Sequence, residues 1–203
     1  PMTFFLFTWP SDGKFFTKAY HNDRHDAHAS GLALGRGLQK LASFLRQIQP
    51  KDYCGQNIHI FAHSMGTYAL RSALQSIRTT SGGIVQRLYD QIVLFAADED
   101  SDSFEMDYKL KSLPDMARRV TIYHNPCDIA LIGSDLTKHN PERLGAAGPR
   151  NSRALPDKVS VVNVERVIKM SLEDIGKHNY HFLNEDLSRD VIDVLKGTEP
   201  GDI

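Results

Sequence analysis

The stretch Asn57–Ile77, NIHIFAHSMGTYALRSALQSI, decides the fold of this 203-residue chain. Its first part, Asn57–His63, is a short apolar run that predicts a strand. Its second part, Met65–Ile77, repeats small and aliphatic residues at helical spacing and predicts a helix. The inward-facing residues of this helix are Ala69, Leu70, Ala73, Leu74 and Ile77. The predicted strand therefore passes directly into the predicted helix at Ser64.

On either side of this stretch, short apolar runs alternate with longer helical patterns. This alternation predicts a mostly parallel sheet with helices on both faces, the α/β class. The predicted strands are Thr3–Thr8, Asn57–His63, Gln91–Ala97, Val120–His124 and Val159–Val164. The predicted helices are Ala27–Ile48, ended by Pro50, then Met65–Ile77, and a last helix through Leu195, capped by Asn184 and stopped by Gly197. We expect one domain over residues 1–203, with a mobile loop at Leu144–Leu155.

The junction Ala62–Gly66 (AHSMG) has the spacing of the nucleophile elbow G-x-S-x-G, with Ala62 in place of the first glycine. A strand that runs straight into a helix forces the middle residue into a tight turn, and small residues two positions away let Ser64 project above the sheet. Ser64 is therefore the candidate nucleophile. The N–H of Met65, at the helix N-terminus, is the candidate oxyanion-hole donor. The alternative is that Ser64 only caps the helix.

Elbows of this kind belong to the α/β-hydrolase fold. In that fold an acid and then a histidine base follow the nucleophile along the chain, on loops after the carboxyl ends of strands. Asp128 comes soon after the predicted strand Val120–His124 and is the candidate acid. His178 lies between the last predicted strand and the last predicted helix and is the candidate base.

Other residues compete for these two roles. Asp98 and Asp100 follow an earlier strand, where some members of the fold carry their acid, although a carboxylate there can equally be a helix cap or a solvated charge. His181 is close enough along the chain to replace the candidate base. His63 directly precedes the nucleophile, and adjacent side chains diverge too much for it to serve as the base, so we expect it to line the substrate pocket.

A series of residues resembles an uncharacterised, mostly bacterial family of α/β-hydrolases known as a domain of unknown function. The shared residues are Phe7–Ser11, Tyr20, Asp23, Ala27, Ser30, Ala62–Gly66, Ala96–Asp98, Asn125, Asp128, Ala130, Leu131, His178 and Tyr180. The resemblance spans nearly the whole chain and implies the catalytic triad Ser64, Asp128 and His178. We place two of its markers, Trp9 and Tyr180, in the substrate pocket. The resemblance implies no particular substrate.

The resemblance also implies a segment that does not precede Pro1 in this sequence. In relatives the strand that ends in Trp-Pro-Ser follows an earlier strand ending in His-Gly, whose loop donates the second oxyanion N–H. We therefore expect the sequence to be a fragment, with Met65 as the only backbone donor to an oxyanion. The strand Thr3–Thr8 should then be unpaired at an edge or paired directly with Asn57–His63.

The composition limits the classes of partner. Basic and acidic residues nearly balance, 24 against 25, so no overall field favours nucleic acid. No run of about 18 apolar residues predicts a transmembrane helix. The first residues lack the features of a signal peptide. The location stays open, with the cytoplasm slightly favoured. We expect no cofactor, and Cys54 and Cys127 could form a bridge or stay reduced.

Two clusters have competing interpretations. One consists of three histidines at i, i+4 and i+7, namely His21, His25 and His28. This spacing could suit zinc, but exposed helix starts often have such a composition, and we expect no metal. The other consists of the arginines of the expected loop region, Arg143, Arg150 and Arg153. They could clamp an anionic group, although charges in such a loop are more often solvated.

Two classes of function stay open. The first is a serine hydrolase, esterase-like or lipase-like, that cleaves a small-molecule carboxylic ester or a related acyl bond through an acyl-serine intermediate. The second is a binding or scaffold protein that keeps the fold while its catalysis is weak or absent. The complete set of candidate triad residues favours the enzyme.

Overall fold

The computed structural model describes residues 3–12, 17–52, 54–136, 142–168 and 178–198. These residues form a sheet of four parallel strands in the order β1-β2-β3-β4, so each strand pairs with the next one along the chain. The strands are β1 (His59–His63), β2 (Tyr89–Phe95), β3 (Ala117–His124) and β4 (Val159–Asn163). The predicted α/β class and the parallel sheet are confirmed.

Helices and shorter turns connect and flank the strands. The α-helices are α1 (Thr17–Gln47), α2 (Met65–Thr80), α3 (Ile129–Leu136), α4 (Leu144–Ala147), α5 (Tyr180–Leu183) and α6 (Glu185–Lys196). Short 3₁₀ turns lie at Pro50–Asp52, Leu113–Met116 and Ser152–Ala154. Since parallel neighbours cannot be joined by a tight hairpin, each pair of strands is connected by a crossover that passes over the sheet.

Both faces of the sheet are buried. Successive residues of a strand point to opposite faces, so the surroundings of neighbouring residues in β2 show what covers each face. Ile92 and Leu94 of β2 belong to a core cluster with residues of α2. Val93 and Phe95 belong to a second cluster with residues of α3 and α6. The sheet is therefore covered by α2 on one face and by α3 and α6 on the other.

Helix α1 packs closely along α2 through two glycines. A methyl group at Gly31 would lie 2.4 Å from Ser72 Cβ, and one at Gly35 would lie 3.0 Å from the carbonyl oxygen of Ala73. The Ser72 hydroxyl donates to the carbonyl oxygen of His28 at 2.7 Å. The small residues let the two backbones approach, and the hydroxyl hydrogen bond fixes their register.

Helix α6 has the end signals that the sequence predicts. The Asn184 side chain accepts a hydrogen bond from the N–H of Leu187 at 2.9 Å. Gly197 ends the helix in the left-handed conformation, with φ of 85°. Both ends of the predicted last helix are therefore confirmed, because each depends on a local cap that the sequence carries.

The segment Thr3–Thr8 is not a strand, contrary to the prediction. Residues 3–12 have no regular secondary structure, and within the described ranges they pair neither with β1 nor with another strand. Phe4, Phe5 and Leu6 expose 77%, 95% and 90% of their surface. A strand exists through hydrogen bonds to a neighbour, so an aromatic composition does not produce one by itself.

The expected loop Leu144–Leu155 begins instead with the buried helical turn α4. Leu144 and Ala146 are buried, and the N–H of Gly145 donates to the carbonyl oxygen of Ala97 at 2.9 Å. A methyl group at Gly145 would lie 2.2 Å from the Ala97 nitrogen. Gly145 is therefore required for this close approach to the end of β2, a role that its loop-like composition does not reveal.

Two further features concern membranes and cysteines. No helix among the described residues has the length and apolar character needed to cross a bilayer.

Cys54 and Cys127 are free thiols, the first exposed and the second half-buried, so the two residues do not form a bridge.

We predict that Gly31→Ala lowers the free energy of unfolding by about 1 to 3 kcal/mol, because the added methyl group overlaps α2. The matched control is Gly37→Ala in the same helix, where nothing lies within 4 Å of the new methyl group. This control should stabilise the protein by about 0.5 to 1 kcal/mol through helix propensity. Urea unfolding followed by circular dichroism measures both, and equal effects would contradict the close packing of α1 on α2.

Candidate active site

Ser64 occupies a strained turn between β1 and α2. Its backbone has φ of 51° and ψ of −127°, an unfavourable conformation for a residue with a side chain. Three backbone hydrogen bonds hold it there. Its N–H donates to Phe95 O at 3.0 Å, and its carbonyl oxygen accepts from the N–H groups of Thr67 at 3.0 Å and Asp98 at 3.1 Å. The end of β2 and the first turn of α2 together impose the turn.

The Ser64 hydroxyl does not cap the helix. Ser64 is the N-cap residue of α2, yet its side chain makes no capping hydrogen bond. The residue is half-buried and lies at the helix N-terminus, where the N–H groups beginning with Met65 carry partial positive charge. A serine held in a strained turn, with its hydroxyl not used to cap the following helix, is the arrangement that a nucleophile elbow requires.

Asp128 is fully buried in a turn between β3 and α3. Its N–H donates to Asn125 O at 3.0 Å, and its Oδ1 accepts from the N–H of Leu131 at 3.2 Å. The carboxylate thus caps α3 with one oxygen and presents the other to the site. Its position is fixed by backbone on both sides.

The imidazole of His178 is hydrogen-bonded to Asp128, with 2.8 Å between Nδ1 and Oδ2. The His178 side chain is 17% exposed, whereas that of Asp128 is 0% exposed. When Nδ1–H donates to the carboxylate, Nε2 carries the lone pair that can accept a proton. The hydrogen bonds of the described residues do not include one between His178 and the Ser64 hydroxyl.

The His63 ring packs beside His178, and the His181 ring packs beside His63. The His63 ring lies 4.8 Å from the His178 ring and 4.3 Å from the His181 ring, measured between centroids. Burial, and then the charge of His178, lower the pKa of His63 to about 4. Burial, and then the charges of His63 and His178, lower the pKa of His181 to about 3. A base with so low a pKa accepts protons poorly at neutral pH, which weakens His181 as a rival to His178.

The rival acids Asp98 and Asp100 are engaged elsewhere. The partners of the Asp98 carboxylate are Tyr20 Oη at 2.6 Å, Arg24 Nη1 at 3.3 Å and Arg143 Nε at 3.3 Å. The partners of the Asp100 carboxylate are Arg143 Nη1 at 2.7 Å and Lys109 Nζ at 2.9 Å. These are ion pairs within the fold, whereas Asp128 is the carboxylate bonded to an imidazole of the site.

The sequence offered two roles for Arg143, a solvated charge or a clamp for an anionic group, and the structure supports neither. It is fully buried and paired with Asp98 and Asp100. Arg150 is half-exposed and pairs with Glu105 at 2.5 Å. Arg153 is exposed. The three arginines consequently do not act as one group.

Trp9 lies against the first turn of α2. A methyl group at Gly66 would lie 3.9 Å from Trp9 Cη2. The indole N–H is buried and has no hydrogen-bond partner among the described residues. The following residues are tied to α1, since Asp23 accepts from the Ser11 hydroxyl at 3.1 Å and from the Asp12 N–H at 2.6 Å. Trp9 therefore packs beside the turn that carries Ser64.

Tyr180 is buried where the ends of β2 and β3 meet. The residue is 1% exposed. Its hydroxyl accepts from the N–H of Ala96 at 2.8 Å and donates to the carbonyl oxygen of Tyr123 at 3.0 Å. These bonds join the ends of β2 and β3, so Tyr180 supports this end of the sheet, whereas the sequence placed it in the substrate pocket.

Asn125 has a role that the sequence reasoning missed. It is fully buried, its N–H donates to Gly145 O at 2.9 Å, and its Oδ1 accepts from the N–H of Cys127 at 3.1 Å. It thereby shapes the turn that carries Asp128. The Asn125-Pro126 pair directly after a strand was the sequence signal for this turn.

The described residues offer no metal site. No three side chains of His, Cys, Asp or Glu lie close enough together there to hold an ion, and this includes His21, His25 and His28.

We predict that His181→Phe reduces the pH dependence of stability between about pH 5 and 6.5. The folded-state pKa of about 3 lies below the ordinary value of 6.5, so in this window the unfolded chain binds a proton that the folded chain does not. The stability contributed by neutral His181 is thus full above pH 6.5 and falls as the pH drops, by up to about 1.4 kcal/mol per pH unit. Urea unfolding at several pH values tests this, and parallel slopes for both proteins would contradict it.

Comparison with known proteins agrees with this architecture. Residues 1–193 match the family described as "Alpha/beta hydrolase of unknown function (DUF900)". None of the curated proteins compared with the chain matches it. The match covers nearly the whole sequence, and the parallel sheet with helices on both faces is consistent with it. The chain therefore belongs to this family of α/β-hydrolases of unknown function.

Proposed function

We propose that the protein is a serine hydrolase that cleaves a carboxylic ester, or a related acyl bond, of a small molecule. The observation that carries the proposal is the 2.8 Å hydrogen bond between His178 and the buried Asp128. It is supported by the strained turn of Ser64, whose side chain is not committed to capping α2. A paired imidazole and carboxylate near such a serine are the parts that acyl transfer needs.

In the first half of the proposed reaction, Ser64 Oγ attacks the acyl carbon of the ester and its proton passes to His178 Nε2. The carbonyl oxygen becomes an oxyanion, which the N–H of Met65 at the positive end of α2 stabilises. The tetrahedral intermediate then expels the alcohol oxygen, which takes the proton from His178. The products of this half are a free alcohol and an acyl ester on Ser64.

In the second half, water attacks the acyl-serine and gives its proton to His178. Collapse of the second tetrahedral intermediate returns that proton to Ser64 Oγ and releases the carboxylic acid. Asp128 stays ionised throughout, orients the imidazole and stabilises the imidazolium. Its full burial makes this electrostatic contribution large, because little water screens it.

The charge balance of the chain also fits a small-molecule substrate. The formal net charge is −1 at pH 7, so no overall positive field favours a polyanion as the substrate. The second candidate is a binding or scaffold protein with the same fold. The two candidates differ in whether the serine reacts.

We predict that a fluorophosphonate probe labels the wild-type protein at Ser64. Ser64→Ala should abolish labelling and lower the turnover of p-nitrophenyl acetate at least about 10⁴-fold. The control is Ser188→Ala, an exposed serine of α6 whose loss should change neither result. Equal labelling of both variants would refute Ser64 as the nucleophile. A folded wild-type protein that takes up no probe would favour the binding or scaffold candidate.

A second prediction concerns the acid. Asp128→Asn should lower turnover by about 10⁴-fold, because an amide no longer favours the productive tautomer of His178. Asp100→Asn is the matched control, since that carboxylate pairs with Arg143 and Lys109. It should lower the melting temperature and leave the activity of the folded fraction unchanged. Loss of activity in Asp100→Asn but not in Asp128→Asn would show that Asp100, and not Asp128, is the acid that orients the base.

A further inference from the structure

His63 and His178 are joined by a direct hydrogen bond across 115 positions of sequence. His63 Nε2–H donates to the main-chain oxygen of His178 at 3.2 Å. His63 is the last residue of β1 and directly precedes Ser64. The bond therefore links the chain at the nucleophile to the chain at the base.

This bond complements the one that Asp128 makes. The Asp128 carboxylate holds the imidazole ring of His178 at Nδ1, whereas His63 holds the backbone of the same residue. One contact alone would allow the residue to pivot about it. Two contacts at opposite ends of the side chain fix both the ring and its point of attachment, and reaction rates are sensitive to displacements of about 1 Å.

On the basis of the proposed hydrolase function, we propose that His63 is a positioning residue that, as a neutral hydrogen-bond donor, fixes the main chain of His178 relative to Ser64. This role differs from the expectation that His63 lines the substrate pocket. The rigid parallel strand β1 supplies the fixed point, and the segment that carries His178 is held against it.

The groups that face His178 explain why the donor must be neutral. Among the described residues, the Asp128 carboxylate is the anion on one side of His178, and the imidazoles of His63 and His181 are the other titratable groups that interact with it. In the proposed reaction His178 becomes positively charged during acyl transfer. A second cation at the position of the His63 ring, 4.8 Å away between centroids, would oppose that charge. Burial, followed by the charge of His178, keeps the pKa of His63 near 4, so its ring is neutral at neutral pH.

Three substitutions separate these properties. His63→Gln keeps a neutral N–H donor, His63→Leu removes the donor, and His63→Lys keeps a donor but adds a charge. With p-nitrophenyl acetate, His63→Leu should lower kcat about 10- to 100-fold with KM unchanged. His63→Gln should recover much of this loss. In His63→Lys the acid limb of the pH–rate profile should move to lower pH, because the added cation opposes protonation of His178.

The outcomes distinguish this proposal from the hydrolase function itself. If the wild-type protein neither hydrolyses the ester nor takes up a fluorophosphonate, both proposals fail. If it does react, equal kcat for His63→Leu, His63→Gln and wild type would overturn the positioning role alone. Should His63→Leu not fold, as judged by its melting curve, the acid limb of His63→Lys decides, and an unshifted limb overturns the proposal.

Discussion

The strained backbone of Ser64 is the constraint on which the rest of the site depends. A residue with φ of 51° at the end of a strand keeps that conformation only if its neighbours hold its peptide groups. Phe95 and Asp98, at and after the end of β2, and Thr67, in the first turn of α2, supply those hydrogen bonds. The pairing of β1 with β2 and the start of α2 are therefore conditions for an available serine hydroxyl.

A layer of ion pairs lies behind this turn. Asp98 binds Arg24 of α1 and Arg143 before α4, and Asp100 binds Arg143 and Lys109. Buried charges of this kind are costly unless each has a partner, so removing one member leaves another uncompensated. Because the backbone N–H of Asp98 donates to the Ser64 carbonyl oxygen, the layer connects α1 and the region of α4 to the nucleophile turn.

Local signals explain what could be predicted from the sequence. The parallel sheet, α2 and the capped α6 follow from periodicity and end residues, which each segment carries in itself. Thr3–Thr8 was predicted wrongly because a strand depends on hydrogen bonds to a partner strand. The helical turn α4 was missed because the burial of Gly145 depends on Ala97, which is distant in sequence. Sequence order also could not separate Asp128 from Asp98, since both follow strands. The two carboxylates are distinguished by their partners in the folded structure, an imidazole for Asp128 and arginines for Asp98. The catalytic roles stay a proposal.

The hydroxyl of Tyr180 has a consequence for how this protein can evolve. This single oxygen atom accepts a hydrogen bond from the N–H of Ala96, just after β2, and donates one to the carbonyl oxygen of Tyr123 in β3. Tyr180 itself lies two residues from His178 along the chain. Phenylalanine at this position would fill the same space but would leave a buried amide and a buried carbonyl unpaired, each at about 1 to 3 kcal/mol. Selection for a folded protein therefore preserves this tyrosine even in a lineage that has lost its chemistry. Its retention among relatives would therefore be a poor marker of activity, whereas loss of Asp128 from a sequence that keeps Tyr180 would, if the proposed reaction holds, mark a folded protein without that reaction.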